Sequence, residues 1–437
     1  MEILGVTTRV ARMISVLTYC RNAVLAGLTM ATPVGDLLAA TFEEVNAAFG
    51  VPVFADENLW DDPDKDTADR LKWPQESLTP RDASFRLYAG PSVRVLGARP
   101  YSLALYGEGG TVSSLSLVFA NKGDVEVLGC QQFGGSQRES QREMKKVIKE
   151  FEEQLRADEK SIEAALTAVL GEPKQTSFGQ GREMREQVKR WDWNGHAILL
   201  AAPDGEYVAV RVIPSDLANG TRKPRISADE LRAELATRVE RRTNGDVVVT
   251  TIPMVDQGPK GFCVPATWER ALRYMGIPAD MYILAMAGDT GIGGGTYLSS
   301  IVNGAKETVT RAGRRLQISS GKISLPTLAP LIDRGLPVMW AMYVDPQLNR
   351  ELTKRTQERA GVQDPAEWKS LIAPARKAAK DLKPPRANGH VCMIIGYNKE
   401  TGEVAVSDSW GEEFAERWMT LEEAEAISQR SLMTIQL

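Results

Sequence analysis

The sequence Gln-Gly-Pro-Lys-Gly-Phe-Cys at positions 257–263 decides how the C-terminal part of the chain folds. The residues that follow, Val264 to Gly276, have an amphipathic helical pattern, with Pro265 in the first turn and a glycine as the stop signal. The sequence therefore predicts a helix that begins at Cys263. A helix N-terminus lowers a thiol pKa, so this position suits a nucleophile. A buried structural cysteine is the commoner role of a single Cys, so the interpretation requires a base elsewhere.

A candidate base and a candidate orienting group occur together near the C-terminus. Gly389 to Tyr397 has the pattern of a buried strand that opens with His390, and Asn398 to Gly402 is a polar turn signal. The residues from 403 to 408 predict a second strand ending at Asp408. A hairpin would therefore place the carboxylate beside the histidine on the adjacent strand.

These segments resemble the papain-like cysteine peptidases, and more closely their bacterial branch related to the leader-cleaving peptidases of bacteriocin export. In that family a glutamine lies six residues before the nucleophilic cysteine, the histidine opens an apolar strand ending in Gly-Tyr, and the third member precedes Ser-Trp-Gly. All three signatures are present within residues 251–437. The chain departs from papain in having Asp at the third position and in lacking the Cys-Gly-Ser-Cys-Trp context, so papain's substrate preference does not carry over.

The resemblance implies a role for each residue of the site. Cys263 would be the nucleophile, His390 the general base and then acid, and Asp408 the group that holds the imidazole. Gln257 would form the oxyanion hole with the backbone N–H of the cysteine. Trp410 would shield the His–Asp hydrogen bond from water.

The remaining histidine and cysteines have structural interpretations. His196 also precedes an apolar run, but no Asp-Ser-Trp-Gly follows it, so we expect a structural role. Cys392 shares a strand face with His390 and is expected in the core. With Cys20 and Cys130, the four cysteines have neither metal-ligand spacing nor a disulfide framework, so no metal and no cofactor are expected.

A glycine-rich segment lies between the predicted nucleophile and base. It precedes a helical pattern from Tyr297 to Val309, but it lacks the Lys-Ser/Thr of a phosphate loop and no strand clearly leads into it. Nucleotide binding is therefore disfavoured. We expect Gly293, Gly294 and Gly295 to form a rim of the substrate cleft, where peptide backbone approaches closely.

The chain is predicted to be α+β, with a papain-like domain in which the Cys helix packs on an antiparallel sheet, preceded by two small α+β modules. The predicted units are 1–40, a signal peptide or N-terminal helix; 41–135, the first module; 136–160, a charged connecting helix; 161–250, the second module, a possible duplicate; and 251–437, the catalytic domain, expected to fold alone. Residues 345–388 are an insertion, interpreted either as a lid over the cleft or as a solvated decoration.

Composition and the N-terminal sequence bear on partners and location. A hydrophobic content of 43% supports packed cores, and a net charge of -4 gives no footprint for nucleic acid. The apolar run from 23 to 31 is too short to span a membrane but has signal-peptide size. We therefore expect a secreted or periplasmic protein without a membrane segment in the mature chain, a cytoplasmic location being the alternative. By elimination, the N-terminal modules would bind a partner, target the chain or inhibit it.

Two classes of function follow. The first is a cysteine peptidase that hydrolyses peptide bonds of a peptide or protein substrate through the Cys-His-Asp triad. The alternative is a non-catalytic peptide-binding scaffold, and an amidase or acyltransferase would use the same triad. The intact set of Gln257, Cys263, His390 and Asp408 favours catalysis, since loss of Cys or His is the usual mark of an inactive homologue.

Overall fold

The computed structural model of the protein describes residues 40–126, 137–179, 181–221, 226–362 and 364–437. The segment from Ala39 to Leu437 forms one compact unit. It consists of helices and two antiparallel eight-stranded sheets, in agreement with the predicted α+β class. The signal peptide or helix predicted for residues 1–40 lies, apart from its last residue, outside the described residues, as do Cys20 and Cys130.

The N-terminal sheet is accompanied by four helices. The strands are β1 (Gln75–Leu78), β2 (Asp82–Tyr88), β3 (Ser102–Glu108), β4 (Thr111–Asn121), β5 (Lys174–Phe178), β6 (Glu186–Trp193), β7 (His196–Ala201) and β8 (Tyr207–Pro214), and the helices are α1 (Phe42–Phe49), α2 (Asp64–Leu71), α3 (Gln137–Leu170) and α4 (Ser215–Ala218). The strand order β1-β2-β3-β4-β8-β7-β6-β5 joins two four-stranded halves through β4 and β8. The two segments predicted as separate modules therefore share one continuous sheet.

One local prediction in this region needs correction. The charged helix expected to end at residue 160 continues as α3 to Leu170, because no Gly or Pro interrupts it. Residues Val95 to Ala98 form a tight turn. Leu96 and Gly97 have φ of 50° and 74°, and Val95 pairs with Ala98 across the turn.

Both faces of the N-terminal sheet are buried. One face packs on α1 and α3 around Phe49, Leu105 and Leu166. The other face, which includes Leu199, packs in a core that also contains Phe262, the residue before the predicted nucleophile. The N-terminal sheet and the C-terminal part of the chain therefore share a hydrophobic core.

The C-terminal part contains the second sheet and nine helices within the described residues. The strands are β9 (Val239–Arg241), β10 (Asp246–Val249), β11 (Arg315–Ser320), β12 (Val338–Tyr343), β13 (Gly389–Asn398), β14 (Glu403–Ser407), β15 (Arg417–Thr420) and β16 (Ser428–Gln436). The helices are α5 (Ala228–Thr237), α6 (Cys263–Tyr274), α7 (Met281–Ala287), α8 (Leu298–Arg311), α9 (Leu325–Ile332), α10 (Pro346–Arg359), α11 (Pro365–Leu371), α12 (Ala373–Ala378) and α13 (Leu421–Ile427). The order is β11-β16-β12-β13-β10-β9, with β14 paired to β13 and β15 to β14.

Helix α6 lies between the two sheets and is buried on every side, although its amphipathic pattern predicted an exposed face. All 12 of its residues are buried. Its polar side chains meet the N-terminal strands, where the Tyr106 hydroxyl donates to Glu269 at 3.1 Å and Arg273 Nη2 lies 2.8 Å from Asp82 Oδ1. Removing the N-terminal sheet would expose apolar surface and leave buried charges unpaired. The expectation that the C-terminal part folds alone therefore conflicts with this packing.

Candidate active site

Cys263 is the first residue of α6, as predicted, and it is buried. Phe262 precedes it in the core shared with the N-terminal sheet, and Gly276, with φ of 71°, follows the last turn of the helix. The packing at both ends holds the thiol at the helix N-terminus, where free N–H groups and the dipole favour its ionised form. Cys392 is also a free thiol and lies in a different core cluster, together with Trp340.

The hairpin of β13 and β14 brings His390 and Asp408 together. The strands pair Met393 with Ser407, and Asp408 follows directly after β14. Its Oδ1 lies 2.8 Å from Nε2 of His390. The Cys263 thiol and the His390 imidazole are close enough to shift each other's pKa values. Since Nε2 faces Asp408, Nδ1 is the ring nitrogen available to the thiol.

Trp410 covers the histidine. Its ring is stacked on that of His390, with 4.6 Å between centroids and 29° between planes. Phe414 packs edge-on against the same indole at 5.5 Å. The imidazole therefore has few alternative orientations, and the aromatic rings limit the access of water to its hydrogen bond with Asp408.

The three groups shift one another's pKa values. Burial alone would raise the pKa of the Cys263 thiol, but the hydrogen bond and charge of His390 outweigh it and lower that pKa. Burial also disfavours charge on His390, yet its bonds to Asp408 and Cys263 raise the pKa to about 9. Burial opposes ionisation of Asp408 as well, but His390 and Arg417 keep the pKa of this carboxyl low. The thiolate, the imidazolium and the carboxylate therefore stabilise one another.

Gln257 is held in the loop before Cys263 by main-chain and side-chain bonds. Its backbone N–H donates to the Ser409 carbonyl at 2.9 Å, which ties it to the segment after Asp408. Its Nε2 donates to the Lys260 carbonyl at 2.9 Å. This acceptor fixes the orientation of the amide, because Oε1 facing a carbonyl would be repelled. One N–H of the amide remains, and Oε1 is buried without a partner in the described part of the chain.

The glycine-rich segment lies against the residues just before Cys263. Gly294 pairs with Gly261, and the N–H of Gly295 donates to the Gly261 carbonyl at 3.0 Å. A Cβ on Gly294 would come within 2.8 Å of Gly261 backbone atoms, and Gly293, Gly294 and Gly295 all have positive φ. Close approach of two backbones therefore requires glycine here. Helix α7 precedes the segment, so no strand leads into it.

The N-terminal sheet holds the loop that contains Gln257, a relation that the sequence did not reveal. The Tyr88 hydroxyl donates to the Asp256 carbonyl at 2.6 Å. Glu76 accepts from the Asp256 N–H at 2.9 Å, and Ser77 accepts from the Met254 N–H at 3.0 Å. These residues carry no local motif, since their partners lie far away in sequence. The N-terminal part thus supports the predicted oxyanion loop directly.

Two buried arginines next to Asp408 were also missed. Arg417 Nη2 lies 2.6 Å from Asp408 Oδ2, and Arg270 on α6 donates to the Ser407 hydroxyl at 2.5 Å. The chain contains 53 lysines and arginines, and neither arginine stands in a recognisable pattern. Only the tertiary structure separates these two from the rest.

The insertion is anchored on the side of β14 and β15. Arg359 of α10 pairs with Asp246 at 2.6 Å and Glu403 at 3.0 Å, and both pairs are buried. Thr356 accepts from the Trp418 N–H at 3.0 Å. Helix α10 is therefore part of the packed structure, and the interpretation as a solvated decoration does not hold for it.

His196 lies in β7 of the N-terminal sheet. It is fully buried, its ring stacks on Trp193 at 5.2 Å, and its Nδ1 lies 3.0 Å from the Trp193 carbonyl oxygen. Burial lowers its pKa. This environment fits the structural role expected from the sequence.

A thiol at a helix N-terminus, facing a histidine on an antiparallel sheet, is the arrangement of papain-like cysteine peptidases. Residues 249–431 match the model of the Peptidase_C39 like family. This region, less than half of the chain, is therefore a papain-like, C39-like cysteine peptidase domain. No curated protein matches the chain. In the described ranges, no helix is long and apolar enough to cross a bilayer, and no cluster of His, Cys, Asp and Glu could hold a metal ion.

Proposed function

We propose that the protein is a cysteine peptidase that hydrolyses peptide bonds through Cys263, His390 and Asp408. The observation that carries the proposal is the buried His390 imidazole, which lies 2.8 Å from the Asp408 carboxylate and lowers the pKa of the Cys263 thiol. Structural cysteines in cores do not need an ionised histidine beside them. A nucleophile does, because the thiolate is the reactive form.

In the first half-reaction, the Cys263 thiolate attacks the carbonyl carbon of the scissile bond. The carbonyl oxygen becomes negatively charged in the tetrahedral intermediate. When the intermediate collapses, the C–N bond breaks, and Nδ1–H of His390 protonates the departing amine. The products of this step are a free amine and a thioester on Cys263, with the imidazole left neutral.

In the second half-reaction, water attacks the thioester while Nδ1 of His390 accepts one of its protons. The C–S bond breaks, the carboxylic acid product leaves, and the thiolate–imidazolium pair is restored. Asp408 stays ionised throughout and stabilises the imidazolium through Nε2. Trp410 protects this hydrogen bond.

Two further elements bind the substrate in this proposal. The remaining N–H of the Gln257 amide and the backbone N–H of Cys263 would donate to the oxyanion. The rim formed by Gly293, Gly294 and Gly295 would let a peptide backbone approach, because no side chain intervenes. The substrate is accordingly a peptide or a protein segment in extended form.

We also propose export of the chain, from the signal-peptide character of the run from 23 to 31. The role of the N-terminal sheet is proposed to be structural support of the site, with partner binding as an additional role. Its contacts to Asp256 and to α6 support this choice over a detachable inhibitory module.

The test uses an activated ester, because the natural peptide is unknown. Purified full-length protein is mixed with a p-nitrophenyl ester, nitrophenolate release is followed, and the acylated peptide is mapped by mass spectrometry. We expect a thioester on Cys263 that turns over, and none in Cys263→Ala. Cys392→Ala is the matched control and should behave as wild type. A stable folded protein that forms no thioester at Cys263 would favour the non-catalytic scaffold.

A further inference from the structure

Each oxygen of the Asp408 carboxylate has its own cationic partner. Oδ1 faces His390 Nε2 at 2.8 Å, and Oδ2 faces Arg417 Nη2 at 2.6 Å. Both partners and the carboxylate are buried. The carboxylate therefore cannot rotate without breaking one of two charge-assisted hydrogen bonds, each stronger than a neutral one.

Arg417 is in turn held by the insertion. Its Nη1 donates to the Asn349 carbonyl at 3.3 Å, to Asn349 Oδ1 at 2.8 Å and to Thr353 Oγ1 at 3.2 Å, and both acceptor residues lie on α10. The guanidinium also lies over the rings of Trp410 and Phe414, at 5.4 and 5.0 Å from their centroids. The Arg417 side chain thus contacts the insertion, the rings of Trp410 and Phe414, and Asp408 of the triad.

We propose that Arg417 is a positioning residue that fixes the Asp408 carboxylate toward His390. Helix α10 of the insertion holds Arg417 in the orientation that this requires. The proposal rests on the catalytic role proposed above for the triad. It gives the insertion a function that neither a lid nor a surface decoration would have. The Arg417 charge is also expected to affect the pKa values of the site, because it lies two contacts from His390 and three from the Cys263 thiol.

The charged and titratable groups around the triad set the sign of that influence. Four groups lie around His390 and Asp408: Arg270 and Cys263 on α6, Cys392 on β13 and Arg417 on β15. Glu412, in the turn after Asp408, interacts with Arg270. Loss of the Arg417 charge disfavours the Cys263 thiolate, which raises the pKa of the thiol. It also frees the Asp408 carboxylate to turn away from His390, and the hydrogen bond to Asp408 is what raises the pKa of His390 most. The loss of that bond outweighs the loss of repulsion between the two cations, so the pKa of His390 should fall. The acid limb of a reactivity profile should therefore move to higher pH and the alkaline limb to lower pH.

The experiment measures the rate of Cys263 alkylation by iodoacetamide from pH 4 to pH 11, with peptide mapping, in the full chain. Alkylation needs no substrate and reports the thiolate directly. In Arg417→Gln, which removes the charge and shortens the side chain, we expect the acid limb to rise and the alkaline limb to fall, each by about one pH unit. Arg417→Lys keeps the charge and should keep both limbs within about 0.3 unit of wild type.

The matched control is Arg355→Gln. Arg355 lies on the same helix as Asn349 and Thr353, has a side chain 16% exposed, and ties α10 to Glu423 of α13 at 2.9 Å, with no bond to Asp408. It should lower thermal stability and leave both limbs in place. If Arg417→Gln does not fold, Asn349→Ala combined with Thr353→Val replaces it. That variant frees the guanidinium and should move the two limbs in the same directions as Arg417→Gln, by a smaller amount.

The outcomes separate this proposal from the proposed function. If Cys263 is no more reactive than Cys392 in the wild type, the proposed function fails. If Cys263 is reactive and the profile of Arg417→Gln superimposes on the wild type, with only stability reduced, Arg417 has a purely structural role and the inference is overturned. A superimposable profile in the Asn349/Thr353 variant would overturn it in the same way.

Discussion

Tyr88→Phe is expected to slow acylation of Cys263 and leave its alkylation unchanged. The Tyr88 hydroxyl donates at 2.6 Å to the carbonyl of Asp256, the residue before Gln257. Acylation passes through an oxyanion that the Gln257 amide would stabilise, whereas alkylation by iodoacetamide forms no oxyanion. The two rates therefore separate damage to the oxyanion loop from damage to the thiolate.

The size of the effect follows from the hydrogen bond. One intramolecular hydrogen bond contributes about 1 kcal/mol net. If all of it serves to order the loop, acylation slows about five-fold, since about 1.4 kcal/mol corresponds to a factor of ten. Gln257→Ala removes the donor itself and sets the upper reference, with a loss of about 100-fold or somewhat more. Tyr88→Phe should fall clearly between this variant and the wild type.

The assay compares nitrophenolate release from a p-nitrophenyl ester with the iodoacetamide rate for each variant. Tyr101→Phe is the control, because its ring packs on that of Tyr88 at 5.6 Å and the substitution removes the same chemical group. The reasoning is refuted if Tyr88→Phe acylates at the wild-type rate. It is equally refuted if Tyr101→Phe shows the same selective loss of acylation.

Other variants test the rest of the account. Asp408→Asn should retain measurable acylation, because an Asn oxygen still accepts from His390. Its single oxygen cannot also serve Arg417, so its free energy of unfolding should fall by about 1–3 kcal/mol in denaturant titration. A fragment of residues 251–437 should be insoluble or should not acylate, since α6 would lose the hydrophobic core that it shares with the N-terminal sheet. A soluble, reactive fragment would show that this shared core is not needed for folding. His390 has a pKa raised to about 9, so its stabilising contribution is complete below about pH 6.5 and is lost as pH rises through 9. The difference in unfolding free energy between wild type and His390→Gln should shrink over that interval.

The C-terminal site could be predicted because its signals are local. A helix start after Gly-Phe-Cys, and an apolar strand followed by a polar turn and a second strand, fix Cys263, His390 and Asp408 on their elements. Once the hairpin register is set, the carboxylate has to return to the histidine. The positive φ of Gly293, Gly294 and Gly295 and the close backbone contact with Gly261 follow from the same reasoning, because consecutive glycines indicate both.

The partners of the site could not be predicted because they depend on long-range packing. Tyr88 contacts the loop of Gln257 at Asp256, 168 residues away in sequence, and Arg417 contacts Asn349 through the fold of the insertion. Neither contact leaves a pattern in the sequence. The joining of two predicted modules into one sheet has the same origin, since the pairing of β4 with β8 spans α3 and three strands. Strand edges give no sequence signal of what will pair with them.

The pH profile of Cys263 alkylation, compared between the wild type and His390→Ala, tests the central claim most directly. We expect the alkylation rate of wild-type Cys263 to be high already at a pH well below the ordinary thiol pKa of about 8.5. The rate should change again near pH 9, where His390 loses its proton. In His390→Ala the early limb should disappear, and the rate should rise only as an ordinary or buried thiol ionises. Identical profiles for the two proteins, each with the rise of an unperturbed thiol, would contradict the assignment of Cys263 and His390 as a catalytic pair.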